Sequence, residues 1–444
     1  MIGTLVGFGC LTLFLCAFGG AFLLARMFRE DSAMLPSDLD RAKRFGLPLT
    51  REEIRRRTPA VPVDENAAPL FAEAMKAFQK LPANQTSHLF LGTSASLAER
   101  QLAARALRSF QPTLRILERA VERPACDFRT DPPFRDASHW APKAFHYEIA
   151  FREMALYVSA DCVSKLRWDM SGALKDLNTG LKMARLLPAY STTMGGWGLI
   201  ATELGAVRRI WRILLSRPND LATLDQLGKL VDLMSVPDLY RLMQTDFVVG
   251  RETIRTIKSL EEVGLDRNTP ASFSRTVDSL YQAPGVKEAY DARYVRTYAR
   301  LFEALPTDRE DWPAIHAAMA KVDKEVFEDK GLDNAVNRAL GIGSQEFPLI
   351  LGMMQSEQRV LKEAVAVLKA HAGTGRYPKT LPIAGPTSID PIWRQPFTYK
   401  ADSGGFTISS RGRDFGKDSP TAIKRGNLFQ YRDHREPGRI GLAD

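Results

Sequence analysis

The residues best able to hold a metal or move a proton near neutral pH are the histidines: His88, His139, His146, His316, His371 and His434. None stands in His-Glu-x-x-His or another metal-ligand spacing. His139 and His146 lie seven residues apart across Pro142, and Glu153 follows seven residues later. These groups would make an acid–base or metal cluster only by facing one pocket. Packing is the simpler reading, with His371 closing the end of a helix. An enzyme with a site near His146 stands as an alternative. Asp414 and Asp418, four apart in Gly412-Arg413-Asp414-Phe415-Gly416-Lys417-Asp418, are the calcium candidates. Calcium takes about six to eight oxygen ligands, and two carboxylates beside Arg413 and Lys417 are a short supply. No other cofactor is expected.

Nucleophile signatures are absent from the sequence: no G-x-S-x-G, no P-loop and no flanked Rossmann glycine pattern. Gly195-Gly196-Trp197-Gly198 lacks the Lys-Ser/Thr pair of a phosphate loop and reads as a tight turn between two helices. Trp140, Trp168, Trp211 and Trp312 read as packing anchors. Cys126 and Cys162 lie apart with no CxxC. They could pair in an oxidising compartment or remain buried thiols. A non-enzymatic protein is therefore the expectation.

The elements that must position these residues are mostly amphipathic helices. The apolar spacing predicts helices from Asn66 to about Lys80, Ser96 to Glu122, Lys143 to about Trp168, Asp169 to Leu187, Gly198 to Leu215, Leu221 to Leu233 and Pro237 to about Leu260. Pro112 is expected to kink or divide the second. Tyr147, Phe151, Met154, Val158 and Cys162 recur on one side of the third. Further helices are expected at 286–304, 311–328 and 332–340, and a long one from Pro348 to Ala370. Short connections make an irregular stack of antiparallel helix pairs, without a strict 34-residue tetratricopeptide (TPR) period. After Gly373 the pattern turns extended, and Phe397-Thr398-Tyr399 and Gly405–Ser409 read as a hairpin around Ala401-Asp402-Ser403-Gly404.

Residues 2–25 carry no charge and end at Arg26. That run is long enough for a helix spanning about 30 Å of hydrocarbon, and no basic start marks it as a cleaved signal. Arg26, Arg29, Arg41, Lys43, Arg44, Arg51, Arg55, Arg56 and Arg57 follow. The positive-inside bias places the body in the cytoplasm, with the periplasm as alternative. The formal charge of +9 is dispersed among 52 acids, so no nucleic-acid partner is expected.

The tail also resembles a known family. Gly375-Arg376-Tyr377-Pro378-Lys379-Thr380-Leu381 is similar to the G-x-Y-P-x-x-L that follows the long helix of type II secretion major pseudopilins. Asp390-Pro391, Gln395-Pro396-Phe397-Thr398-Tyr399 and the stretch from Phe406 to Asp414 are similar to later motifs of that family, in the same order. The glycine that follows Asp-Pro-Trp there is absent, for this chain reads Asp390-Pro391-Ile392-Trp393-Arg394. Asn66-Ala67-Ala68-Pro69, Pro124-Ala125-Cys126-Asp127-Phe128 and the Ala173–Leu187 helix resemble a group of Planctomycetes-type, membrane-anchored helical proteins. That group implies no activity.

The expected fold is mainly α: a single N-terminal transmembrane helix, an irregular TPR-like array and a small C-terminal helix plus β-hairpin module. The boundaries are 1–28 anchor, 29–61 juxtamembrane linker, 62–262 array, 263–345 charged helical excursion, 346–420 pseudopilin-like module and 421–444 basic tail. The expected function is a membrane-anchored scaffold or protein-interaction subunit of a bacterial envelope complex. It would sit in the inner membrane with protein partners, and with the bilayer contacted through residues 2–25. An accessory part of a secretion or pilus-like machine is the other alternative.

Overall fold

The computed structural model describes residues 26, 28–57, 60–81, 96–128, 140–186, 193–256, 285–328, 346–409 and 429–432. Its helices are α1 (residues 28–44), α2 (Arg51–Arg57), α3 (Ala68–Phe78), α4 (Leu97–Ala120), α5 (Trp140–Lys165), α6 (Met170–Arg185), α7 (Thr193–Ser216), α8 (Leu221–Leu233), α9 (Leu239–Thr256), α10 (Val286–Ala304), α11 (Trp312–Glu328) and α12 (Phe347–Thr374). The strands are β1 (Ile389–Asp390), β2 (Gln395–Pro396), β3 (Thr398–Asp402), β4 (Gly405–Ser409) and β5 (Phe429–Arg432).

Local chemistry sets many of these boundaries. Ser96 and Glu99 form a reciprocal capping box at the start of α4. Asp169 accepts from Gly172 N at 2.9 Å and Asp220 from Thr223 N at 3.2 Å, starting α6 and α8. Gly375, at φ 70°, takes the left-handed position that ends α12. Pro112 does not divide α4. The Gly195–Gly198 stretch is helical, not a turn. A Cβ on Gly196 would come within 2.7 Å of Leu242 and 2.8 Å of Phe347, so the missing side chain permits close packing of α7. On α4, Leu97 (73% exposed) does not join the buried stripe, which begins at Ala106 and runs through Phe110, Leu114 and Leu117.

The chain divides into two compact units. One comprises Met1–Thr58, Met243–Thr307 and Ala314–Gln345; the other comprises Pro59–Leu242, Asp308–Pro313 and Glu346–Asp444. In the first, the stretch read as a linker is helical from 28 to 44 and buries Phe28, Asp38 and Ala42. Arg296 of α10 binds Asp38 at 2.9 Å and Asp31 at 3.0 Å. Val286, Tyr290, Tyr294 and Tyr298 bury one face of α10.

In the second unit, α5 packs on α6 and α7, α6 packs on α7 and α8, and α12 packs on α7 and α8. Leu177, Leu181, Ile210, Leu214, Leu224, Val360, Leu361 and Leu368 share one core with Phe397, Phe406 and Ile408 of the β-module. Burying such side chains contributes about 1.5–3 kcal/mol each. β3 and β4 pair with Thr398 opposite Ser409 and Asp402 opposite Gly405, as the hairpin reading required. β5 adds a third strand, Ile408 opposite Phe429, inside the segment expected to be only a basic tail.

Among the described residues no helix is long and apolar enough to cross a membrane. This overturns the single-pass fold class. The inner-membrane placement, the bilayer contact and the envelope-complex and pilus-machine roles built on an anchor fall with it. Among the described helices the physical reason is charge: even α12, the longest, carries Glu357, Arg359, Lys362, Glu363 and Lys369. Residues 2–25, on which the expectation rested, lie outside the described residues.

Candidate functional site

Two aspartates and a lysine meet where α5 packs on α6. Asp161 and Lys165 stand one helical turn apart on α5, a spacing that puts them side by side. Asp176 reaches them from α6. Lys165 Nζ lies 2.7 Å from Asp161 Oδ2 and 2.8 Å from Asp176 Oδ2. The side chains of Asp161 and Asp176 are 5% and 1% exposed. Gln111 of α4 donates from Nε2 to Asp161 Oδ2 at 3.1 Å. Asp176 Oδ1 is buried without a hydrogen-bond partner, a cost of about 1–3 kcal/mol for such a group.

Burial pushes the Asp176 carboxyl up to about 7, against the pull of the Lys165 ammonium. Burial pulls Lys165 down, but its bonds to Asp161 and Asp176 outweigh that and hold its pKa above the ordinary value. A lysine nucleophile needs the opposite shift. Burial also pushes the adjacent Cys162 thiol up to about 12, which removes its thiolate at neutral pH.

Asp176 and Cys162 help line a small cleft of about 20 Å³ between α5, α6 and α7. Val158, Leu177, Leu181 and Ala206 supply apolar walls, and half-buried Ser159, Thr202 and Arg209 form its rim. Arg209 donates through Nε to Ser159 O at 3.3 Å and through Nη1 to Gly205 O. It makes no ion pair among the described residues. Burial lowers its pKa from the usual guanidinium range. Small residues make room for the cleft: a Cβ on Gly180 would meet only Val158 Cγ1, at 3.7 Å.

Other buried polar groups fasten α12 and the array. Glu203 of α7 accepts from Ser235 N at 2.9 Å, and burial pushes it up to about 8. Glu363 accepts from Ile383 N at 3.2 Å, and burial pushes it up to about 7. Asp390 accepts from Ser356 Oγ and Ile392 N, each at 2.9 Å. Trp312 Nε1 donates to Gln355 at 2.7 Å. The turn after Asp390 closes without glycine: Arg394 itself takes φ 53°, while its guanidinium binds Asp308 and Asp311 at 2.9 Å. These ion pairs offset part of the cost of the left-handed conformation.

The residues singled out from sequence fare unevenly. Asp414, Asp418, His88, His139 and His434 lie outside the described residues, as does the side chain of His146. Glu153 is half-buried on α5. His371 stacks on Tyr377 with ring centres 4.0 Å apart, and its carbonyl accepts the Gly375 N–H that closes α12. Cys126 and Cys162 are free, buried thiols. Trp211 and Trp312 are buried as expected, but Trp168 is 73% exposed, its indole N–H bonded to Ser164 O. Among the described residues no cluster of three His, Cys, Asp or Glu side chains could hold a metal.

The Asp161–Lys165–Asp176 cluster is not foreshadowed by any motif. The i,i+4 Asp–Lys pair is its only local signal. Equally silent in the sequence is a clip joining two of the quoted motifs: Asn66 Nδ2 donates to Asp127 O at 2.8 Å, and Asp127 N donates to Asn66 Oδ1 at 2.8 Å.

No protein-family model, no curated protein and no solved structure matches this chain. The resemblance of its tail to pseudopilins therefore rests on the residues quoted for it.

Proposed function

We propose that this chain is a non-catalytic helical binding protein whose α5–α6–α7 cleft takes a small polar ligand. One observation carries the reading: a carboxyl oxygen, Asp176 Oδ1, is buried in a residue that lines a small cleft, with its hydrogen-bonding capacity unused. Such groups are uncommon in native interiors because each one costs stability. A donor brought by a ligand recovers that cost. At about 20 Å³ the cleft lies far below the roughly 300–1,000 Å³ of drug-sized sites and near the space one water occupies, which restricts the occupant to one or two heavy atoms. The clamped Lys165 and the high-pKa Cys162 support binding over nucleophilic catalysis.

Filling the cleft tests the reading. Gly180→Ala fits beside Val158, and Gly180→Val projects further into the space. The full chain is titrated with ammonium, methylammonium, methanol and hydroxylammonium while its melting temperature is followed. At least one solute should raise the wild-type melting temperature, since ligand binding to the native state stabilises it. Gly180→Val should abolish that rise, with Gly180→Ala as a folded control. Equal shifts in wild type and Gly180→Val, or no shift with any solute, would refute a cleft ligand.

A further inference from the structure

We infer that the outer face shared by α5 and α7 docks an acidic polypeptide segment. Arg152, Arg208 and Arg212 take its carboxylates, and Ile149, Leu156 and Val163 meet its aliphatic side chains. This surface lies outside the cleft and does not rest on a cleft ligand. The two helices run side by side in the same direction. A Cβ on Gly198 would meet Arg152 Cβ at 3.6 Å, and seven residues further along both helices a Cβ on Gly205 would meet Ser159 Oγ at 3.5 Å. The stripe of α5 beside this contact is Ile149, Arg152, Leu156, Ser159 and Val163, at helical spacing, and none of the five is buried. On α7 the matching stripe is Ala201, Gly205, Arg208 and Arg212, also outside the core.

Charge selects the occupant. Arg152, Arg208 and Arg212 are exposed and make no ion pair among the described residues. The acids of α5, α6 and α7 nearest to them are committed elsewhere: Asp161 and Asp176 to Lys165, and buried Glu203 to Ser235 N. Glu153 lies near Tyr157, whose ring packs on Phe78 and Phe110 of α3 and α4. Arg208 and Arg212 are like charges one turn apart, an arrangement that costs stability. Burial lowers Arg209 from the usual guanidinium range, and the charges of Arg212 and Arg208 push it the same way. Carboxylates brought by a partner relieve this crowding, and a guanidinium can hold each with two parallel bonds. Arg152 is level with Gly198, and Arg212 follows Gly198 by fourteen residues, about 21 Å along the helix. A small anion reaches one end of that span, whereas a chain with repeated carboxylates reaches both. The stripe's uncharged side chains are aliphatic, so they suit Leu or Val of a polypeptide and give nucleic-acid bases no ring to stack on.

Fluorescence anisotropy with the full chain at about 0.15 M salt tests the surface. The probe is a labelled peptide of about sixteen residues repeating Glu-Leu-Glu-Ala, about 24 Å long as a helix. It should bind at least about tenfold more tightly than the same peptide with Gln for Glu. Arg208→Gln combined with Arg212→Gln should weaken it about tenfold or more, and the paired Lys substitutions should recover part of that loss because they keep the charge but not the fork. Lys229→Gln combined with Lys379→Gln removes the same charge from exposed positions on α8 and after α12, and should change the affinity less than about twofold. Thermal melts check that each variant folds. Equal binding of the Glu and Gln peptides, no loss in the Arg208/Arg212 variant, or an equal loss in the Lys229/Lys379 variant would overturn the inference. Tighter binding of single-stranded oligothymidylate than of the Glu peptide, lost in the Arg208/Arg212 variant, would overturn it in favour of a nucleic-acid surface. None of these outcomes depends on whether a solute occupies the cleft.

Discussion

Two buried charge networks, one in each compact unit, solve the same problem with opposite stoichiometry. In the unit containing α9 and α10, one carboxylate faces two guanidinium groups. Arg251 holds Asp291 with two bonds, Nε to Oδ1 at 2.7 Å and Nη2 to Oδ2 at 2.9 Å. Arg255 Nη2 adds a bond to Oδ2 at 2.6 Å, and Arg251 Nη1 reaches Leu49 O at 3.0 Å. Both carboxylate oxygens are satisfied. In the unit containing α5 and α6, one ammonium faces two carboxylates, and Asp176 Oδ1 is left over. The difference lies in side-chain geometry. A planar guanidinium matches both oxygens of one carboxylate, whereas an ammonium is a point charge that takes one oxygen from each neighbour. The saturated network can only hold the fold together. The unsaturated one keeps a buried acceptor without a donor, beside a small cleft.

The sharpest way to break this comparison is to remove the acid from the saturated network. Asp291→Ala leaves Arg251, whose side chain is 3% exposed, as a buried cation without its carboxylate. A loss of about 3–5 kcal/mol is expected, read from the urea midpoint. A loss under about 1 kcal/mol would show that the network contributes little.

Lys165→Met should cost less, about 2–3 kcal/mol at pH 8. Asp176, already raised to about 7, can take up a proton and escape the unpaired charge. The same variant should therefore lose less at pH 5 than at pH 8. Equal losses at both pH values would contradict that escape.

Asp176→Asn gives the smallest and most specific effect. An ordinary aspartate titrates at 3.8, and burial moves Asp176 in the folded protein to about 7. Within that window the native protein binds the proton that the unfolded chain releases. Stability must then fall as pH rises from about 4 to about 7, and level off above. Glu363, raised to about 7, and Glu203, raised to about 8, act in the same direction. The wild type should melt lower at pH 8 than at pH 5, and Asp176→Asn should reduce this slope without abolishing it. A slope unchanged in Asp176→Asn would remove the buried carboxyl from the account.

How much is legible depends on sequence distance. The 286–304 helix can be read to the residue, because Gly285 breaks the chain and apolar residues recur at helical spacing after it. The hairpin is legible because turn and strands adjoin. β5 is not: Phe429–Arg432 is a short strand in a basic segment, and only pairing with β4 defines it. The Asn66–Asp127 clip joins residues 61 apart, and neither end signals the other. Arg394 shows a third kind of gap. The absent glycine is visible in the sequence, but the aspartates that help an arginine hold the left-handed turn come from positions 308 and 311.

For the candidate site, the sequence alone determined that Asp161 and Lys165 share a helix face and that a second helix beginning at Asp169 would carry Asp176. Periodicity and capping act over a few residues, and those decisions need nothing else. Only the tertiary structure decided that Asp176 would be buried, that Lys165 would reach just one of its oxygens, and that Arg209 would line the same cleft. Desolvation is the sum of contacts from separate helices, so whether a carboxylate ends up satisfied or left with capacity cannot be read from its neighbours in the chain.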